Sequence, residues 1–68
     1  MKLCDLKYYT RYEFYRNPND RLCGFPPDDY VIFIGDKIAG PLYLFDFLDG
    51  GYEDYMSIQD IDKMIFEL

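Results

Sequence analysis

The sequence predicts a small α+β domain, in which a small antiparallel β-sheet packs against one or two short helices, including a C-terminal amphipathic helix. Three observations predict this fold: an alternating aromatic segment near the N-terminus, a short β-branched run in the middle, and apolar residues at helical spacing near the end. Because the chain has only 68 residues, we expect residues 1–68 to form a single compact domain. Half of the residues are apolar and 21% are aromatic, so large rings can supply the burial that so short a chain needs.

The first predicted element is a strand over residues 6–15, LKYYTRYEFY, which are rich in strand-favouring side chains that alternate between two faces. The turn-forming cluster Asn17–Asp20 ends it, and the glycine and prolines within residues 23–29 predict a loop. Residues 30–34, YVIFI, predict a central strand, because they are apolar on both faces. Gly35–Asp36 then predicts a hairpin turn into a strand over residues 37–39.

The second half of the chain predicts two helices. Gly40–Pro41 suits the start of a helix and Gly50–Gly51 suits its end, so residues 41–49 are predicted as a short helix, with a strand as the alternative. Ser57 resembles the first residue of a capping box, and apolar residues follow it at helical spacing. We therefore predict an amphipathic helix over residues 57–67 that docks on the sheet.

The residue types present argue against catalysis. The chain has no histidine, one serine and one threonine, so neither a proton shuttle at neutral pH nor an activated nucleophile can be assembled. We expect a protein that is not an enzyme and has no catalytic residues. Cys4 and Cys23 lack metal-ligand spacing, so we expect two reduced, buried thiols, no metal and no cofactor.

Charge is distributed unevenly along the chain, whose formal net charge is -6. Residues 1–21 hold five basic and three acidic residues, a net charge of +2, whereas residues 22–68 hold two basic and ten acidic residues, a net charge of -8. A field of that sign repels nucleic acid and membranes and attracts basic protein surfaces. The carboxylates predicted to bind a partner are Asp28, Asp29, Asp46, Asp49, Glu53, Asp54, Asp60 and Asp62.

The segment KYYTRYEFYR, residues 7–16, combines rings and cations as a single-stranded nucleic-acid platform does. Direct nucleic-acid binding is therefore one hypothesis. The acidic remainder of the chain opposes it, and we expect these tyrosines to form a wall of the core. In that case Arg11 and Arg16 would pair with carboxylates of the second half.

A very small, acidic, tyrosine-rich and histidine-free chain resembles the phage-encoded anti-CRISPR proteins of the DNA-mimic kind. The resemblance is one of size, charge and composition and includes no motif. It implies a cytoplasmic inhibitor, acting in a host cell, that binds a CRISPR effector and blocks target DNA with an acidic surface. Two alternatives stay open: an inhibitor of another host DNA-handling machine, and a protein–protein interaction module that uses exposed aromatic residues near Tyr52 and Tyr55.

Overall fold

The computed structural model describes residues 1–35 and 40–68, which form an antiparallel sheet and two short α-helices. The sheet has five strands in the spatial order β4-β3-β2-β1-β5. The strands are β1 (Arg11–Phe14), β2 (Asp29–Phe33), β3 (Tyr43–Phe47), β4 (Tyr52–Met56) and β5 (Ile65–Phe66), and the helices are α1 (Pro18–Leu22) and α2 (Ile58–Met64). The predicted α+β fold with a C-terminal helix is therefore confirmed.

One face of the sheet forms the hydrophobic core. Strand alternation places Val31, Phe45 and their neighbours on this face, where both are fully buried, and Ile61 of α2 packs over them with no exposed surface. A 3-10 turn at Leu3–Asp5 contacts α2 and adds the partly buried Leu3 side chain to the core. The buried cluster contains Leu6, Tyr12, Phe14, Val31, Phe33, Phe45, Phe47, Met56, Ile61 and Ile65. Large rings do supply much of the burial that a 68-residue chain needs.

The prediction of a helix over residues 41–49 is wrong, and its alternative, a strand, is what the structure contains. Phe45 and Phe47 are buried while Asp46 between them is half-buried, which is the two-residue period of a strand. The strand also has neighbours on both sides, since β3 pairs with β2 and with β4. Gly50–Gly51 lies in the turn between β3 and β4, where Gly51 has a φ of 71°.

The terminal helix is confirmed, but it is shorter than the prediction of residues 57–67. Ser57 caps α2, because its Oγ accepts the Asp60 N–H at 3.2 Å. The helix ends at Met64, and Ile65 and Phe66 pair with Phe14 and Glu13 of β1. Pairing with the edge of the sheet therefore replaces the last turn of the predicted helix.

The N-terminal strand is also shorter than predicted. Tyr9 has a φ of 56°, in the left-handed region, and this turn precedes the start of β1 at Arg11. Asn17–Asp20 ends the strand as predicted, but it also begins α1, since the Asn17 side chain accepts the Asn19 N–H at 3.1 Å. The predicted strand over residues 37–39, and Asp36 of the two-residue turn before it, lie outside the described residues.

Two further expectations concern the cysteines and the membrane. Cys4 and Cys23 are free thiols as expected, but both are exposed rather than buried. Cys4 lies in the N-terminal 3-10 turn, and Cys23 directly follows α1, so neither faces the core. Within residues 1–35 and 40–68, no helix has the length and apolar character needed to cross a bilayer.

Candidate functional site

The face of the sheet opposite the core, here called the open face, carries most of the charged side chains of the strands. The pairing registers and strand alternation place nine residues on it. They are Arg11, Glu13, Tyr30, Ile32, Leu44, Asp46, Glu53, Tyr55 and Phe66. All are half-buried except Arg11 and Glu53, which are exposed.

The cations on the open face lie at β1 and β5. The Arg11 guanidinium lies 4.5 Å from the centroid of the Tyr30 ring, and that of Arg21 lies 4.6 Å from the centroid of the Phe66 ring. Arg21 also lies 4.0 Å from Glu13. Each arginine is thus held over a ring, an arrangement that contributes about 0.5–1 kcal/mol at exposed sites. The expected ion pairing of Arg11 and Arg16 with carboxylates of the second half is absent from the described residues. The Arg11 guanidinium stacks on Tyr30 instead, and Arg16 contacts Asp28 through its backbone N–H.

Four carboxylates lie near the other edge of the sheet, in a unit here called the acidic hairpin. It consists of β3, β4 and the turn at residues 48–51, and it carries Asp46, Asp49, Glu53 and Asp54. Asp46 and Glu53 are directly opposite each other in the register. Asp49 is exposed in the turn, and Asp54 is exposed on the core-face side of β4, opposite Phe45.

The backbone directions show that Asp46 and Glu53 form a close pair. The Leu44 carbonyl accepts the Ile34 N–H at 3.0 Å, and the Leu48 N–H donates to the Tyr30 carbonyl at 2.9 Å. Because N–H and C=O of one strand residue point the same way, Asp46, between these two, also directs its backbone towards β2. Asp46 and Glu53 are therefore a non-hydrogen-bonded pair, the type whose Cα atoms are about 4.5 Å apart and whose side chains lie closer together.

This pair places two negative charges side by side. Like charges directly opposite each other in a sheet are destabilising, whereas opposite charges at such positions stabilise the sheet. Across the described part of the chain, the ion pair within 4.0 Å is that of Arg21 and Glu13, and no described cation lies that close to the acidic hairpin. Among the described residues, the two facing carboxylates of the hairpin therefore repel each other without a compensating cation within 4.0 Å.

Asp29 has a different environment from the rest of the predicted set. Only 7% of its surface is exposed, and its carboxylate accepts the backbone N–H groups of Asp49 at 2.8 Å and Gly50 at 3.2 Å as well as that of Tyr30 at 2.7 Å. A buried carboxylate needs such partners. Asp29 therefore holds the turn of the acidic hairpin in place instead of meeting solvent.

Asp28, Asp60 and Asp62 belong to other parts of the chain than the acidic hairpin. Asp28 is exposed, and its Oδ2 accepts the backbone N–H of Arg16 at 2.8 Å. Asp60 and Asp62 are exposed on α2, which packs against the core face of the sheet. The structure thus places Asp46, Asp49, Glu53 and Asp54, out of the eight, on one hairpin and the other four in different parts of the chain.

A signal for the role of Asp29 is present in the sequence. Asp29, Val31 and Phe33 are spaced by two, so all three fall on one face of a strand, and the two apolar members indicate that this face is buried. The role of Arg21 has no comparable signal, because its contacts depend on where α1 places it against β5.

The tyrosine of the turn region is held rigidly. The Tyr52 ring stacks on Phe47, with centroids 5.1 Å apart and an interplanar angle of 6°, while 46% of its surface stays exposed. Gly50 lies against the same ring, and a Cβ atom at this position would overlap it. A side chain at residue 50 would therefore displace Tyr52 from the turn.

The site can accept hydrogen bonds and attract cationic groups, since its side chains are carboxylates and phenols. Among residues 1–35 and 40–68, no group of three or more histidine, cysteine or acidic side chains could hold a metal ion. No family model, curated protein or solved structure matches the chain. The charges and the geometry of the hairpin are therefore the features that bear on function.

Proposed function

We propose that this protein is a non-catalytic inhibitor that uses the acidic hairpin to occupy the DNA-binding surface of a CRISPR effector. The observation that carries the proposal is the directly opposed Asp46–Glu53 pair, which has no cation within ion-pair distance in the described residues. Such a pair weakens the sheet that holds it. A binding role explains why both carboxylates are present, because a cationic partner removes their repulsion.

The chemistry of the partner follows from that of DNA. Duplex DNA carries about one negative charge per 1.7 Å of its axis, so proteins that hold it line the path with lysine and arginine. The carboxylates of the acidic hairpin can accept the paired N–H groups of arginine as phosphates do. Its two strands belong to a five-stranded sheet and its turn is held by Asp29, so the charges are fixed in place before binding. Association is then steered by charge and weakened by salt.

The test measures how much labelled target duplex a guide-loaded CRISPR effector binds as this protein is added. One variant neutralises the acidic hairpin by Asp46→Asn, Asp49→Asn, Glu53→Gln and Asp54→Asn. A matched variant removes the same number of charges elsewhere by Asp28→Asn, Asp60→Asn, Asp62→Asn and Glu67→Gln. We expect the natural protein and the matched variant to displace the duplex, and the hairpin variant to need at least about tenfold more protein, a loss of about 1.4 kcal/mol.

Equal loss in both variants would overturn the assignment to the hairpin, because net charge alone would then explain the inhibition. A restriction endonuclease and an RNA polymerase, assayed in the same way, are the comparison targets. Displacement of DNA from one of these alone would retain the mimic and replace the CRISPR effector as its target.

A second candidate is an interaction module centred on aromatic residues, and the geometry of Tyr52 favours it. The ring is 46% exposed and held by its stacking on Phe47, so little side-chain entropy is lost on contact. In this case Tyr52→Ala would weaken binding more than neutralising the hairpin does. If the acidic hairpin is the main binding site, neutralising the hairpin should weaken binding more than Tyr52→Ala does.

A further inference from the structure

In the sheet formed by residues 1–35 and 40–68, β4 is an edge strand, and it is long and regular enough to pair with another strand. It has β3 on one side, and its register with β3 runs without interruption from Tyr43–Met56 to Phe47–Tyr52. It contains five residues and neither proline nor glycine, whereas β5, at the opposite edge, contains two residues. Proteins usually protect such an edge with charged side chains, a proline, a bulge or a covering segment. The charges on β4 are those of Glu53 and Asp54, which deter an added strand only if it is itself acidic.

The backbone of β4 presents hydrogen-bonding groups at this edge. Because Asp46 and Leu44 direct their backbone groups towards β2, their partners Glu53 and Tyr55 direct theirs away from β3. The Tyr55 N–H is already taken by the Asp54 Oδ1 at 2.8 Å. The N–H and C=O of Glu53 and the C=O of Tyr55 therefore point outward, and one residue of an added strand could exchange both of its hydrogen bonds with Glu53.

The side chains at this edge select the charge of an added strand. Glu53 lies on the open face and Asp54 on the other face, and both are exposed, so the edge is negative on both sides. A second copy of β4 would bring its own carboxylates against them and be repelled. A strand whose lysine or arginine side chains lie on the open face would instead place cations beside Glu53, and it would relieve the repulsion between Glu53 and Asp46.

We propose that β4 binds an extended lysine- or arginine-bearing segment of the partner protein, which adds to the sheet as a sixth strand. Strand addition at a sheet edge is a general mode of peptide recognition, in which backbone hydrogen bonds supply affinity and side chains supply specificity. This inference rests on the proposed function only in requiring a basic partner. It specifies that the partner contributes an extended chain segment beside the acidic hairpin.

The probe is a synthetic peptide in which lysine and valine alternate, Ac-KVKVKVK-amide. Its matched control has the same sequence and charge but is N-methylated at every residue, so neither of its edges can donate hydrogen bonds to β4. Binding and hydrogen exchange of the Glu53 amide are followed by NMR on the whole chain. We expect the unmodified peptide to bind at least about tenfold more tightly than the control. We also expect it to slow exchange at Glu53 by at least about tenfold.

A protein variant tests the same edge without removing a carboxylate. The Tyr55 N–H points away from β3, so Tyr55→Pro removes no bond between β3 and β4 and obstructs the outer edge. Tyr55→Thr is the control, since threonine keeps the N–H and suits a strand. We expect Tyr55→Pro to abolish protection of Glu53 by the peptide and Tyr55→Thr to retain it. If Tyr55→Pro does not fold, the pair of peptides still decides the result.

Each outcome has one meaning. Equal binding of the two peptides, or binding without protection of Glu53, would overturn strand addition. Protection by a glutamate–valine peptide of the same length would overturn the charge selection. These results are separable from the proposed function, because DNA displacement is measured independently. If the hairpin variant loses displacement and Glu53 stays unprotected, the inhibitor proposal stands and strand addition is wrong. If Glu53 is protected but the natural protein displaces no DNA, strand addition stands and the inhibitor proposal is wrong.

Discussion

The two halves of the open face differ in the surroundings of their charged side chains. At β1 and β5, Arg11 and Arg21 lie over the rings of Tyr30 and Phe66, and Arg21 lies close to Glu13. At β3 and β4, Asp46 and Glu53 face each other across the strands without a cation at ion-pair distance among the described residues. The first group contributes to the stability of the fold, whereas the second group opposes it.

This difference separates charges that serve the fold from charges that await a partner. Net charge does not separate them, since all these residues lie on one face of one sheet. What separates them is whether the neighbouring strand supplies a ring, an opposite charge or a like charge. The Asp46–Glu53 pair is accordingly the part of the open face whose electrostatic energy improves most when a basic surface binds.

The largest effect is expected for Asp29, the carboxylate of the acidic half that serves the fold. Asp29→Ala removes the acceptor of the Asp49 and Gly50 N–H groups, and we expect a loss of about 2–4 kcal/mol in the free energy of unfolding. Urea unfolding measures it. Asp28→Ala is the control, with an expected loss of about 1 kcal/mol or less, because the exposed Asp28 accepts one N–H. Equal losses would contradict the structural role of Asp29.

A smaller effect is expected on the cationic side. Arg11→Gln removes the guanidinium from the Tyr30 ring, and we expect the free energy of unfolding to fall by about 0.5–1 kcal/mol. Arg16→Gln removes the same charge from an exposed residue outside the sheet and should leave stability within about 0.5 kcal/mol of the natural protein. Thermal and urea unfolding of the two variants give the comparison. A larger loss for Arg16→Gln would show that Arg11 does not stabilise the fold through its ring.

Neutralising one member of the Asp46–Glu53 pair should raise stability instead of lowering it. Asp46→Asn or Glu53→Gln removes the cross-strand repulsion, and we expect either variant to gain about 0.2–1 kcal/mol in the free energy of unfolding. Glu13→Gln is the matched change on the cationic side. It should lower stability by up to about 1 kcal/mol, because it removes the partner of Arg21. Destabilisation by both Asp46→Asn and Glu53→Gln would remove the contrast between the two sides.

The smallest effect concerns pH and Tyr15, whose hydroxyl donates to the Phe25 carbonyl at 2.9 Å. Burial, and then the charge of Glu13, raise the pKa of Tyr15 above the ordinary value of 10.0. The folded state therefore favours the neutral phenol. The contribution of the Tyr15 hydroxyl to the free energy of unfolding is complete below pH 10.0. It is lost as the pH rises through the higher pKa of the folded state. The melting temperature of the natural protein should fall more steeply above pH 10.0 than that of Tyr15→Phe. Parallel curves would contradict this role.

The fold class followed from local patterns, and the errors came from long-range pairing. The β-branched run of β2 and the capped helix α2 could be recognised because each has a period and an end signal of its own. Residues 41–49 carry helix-like ends, yet β3 forms because β2 and β4 are both available to pair with it. β5 was missed for the same reason, since two residues acquire a strand conformation only by pairing with β1.

The site could be predicted in composition but not in layout. The acidic excess after Arg21 is visible in the sequence, and it includes all four carboxylates of the hairpin. Opposition of Asp46 and Glu53 depends on the register of β3 and β4, which a predicted helix could not provide. On that helix Asp46 would instead have had Asp49 as its neighbour, at about 5–6 Å. The sequence thus identifies the acidic residues, whereas the register of β3 and β4 determines which of them lie opposite each other.

The most direct test is the concentration of protein that halves binding of a labelled target duplex to a guide-loaded CRISPR effector. It is measured for the natural chain and for the double variant Asp46→Asn with Glu53→Gln, together with the melting temperature of each. We expect the double variant to require at least about tenfold more protein while melting at the same or a higher temperature. An unchanged concentration would contradict the claim that this repelling pair serves partner binding.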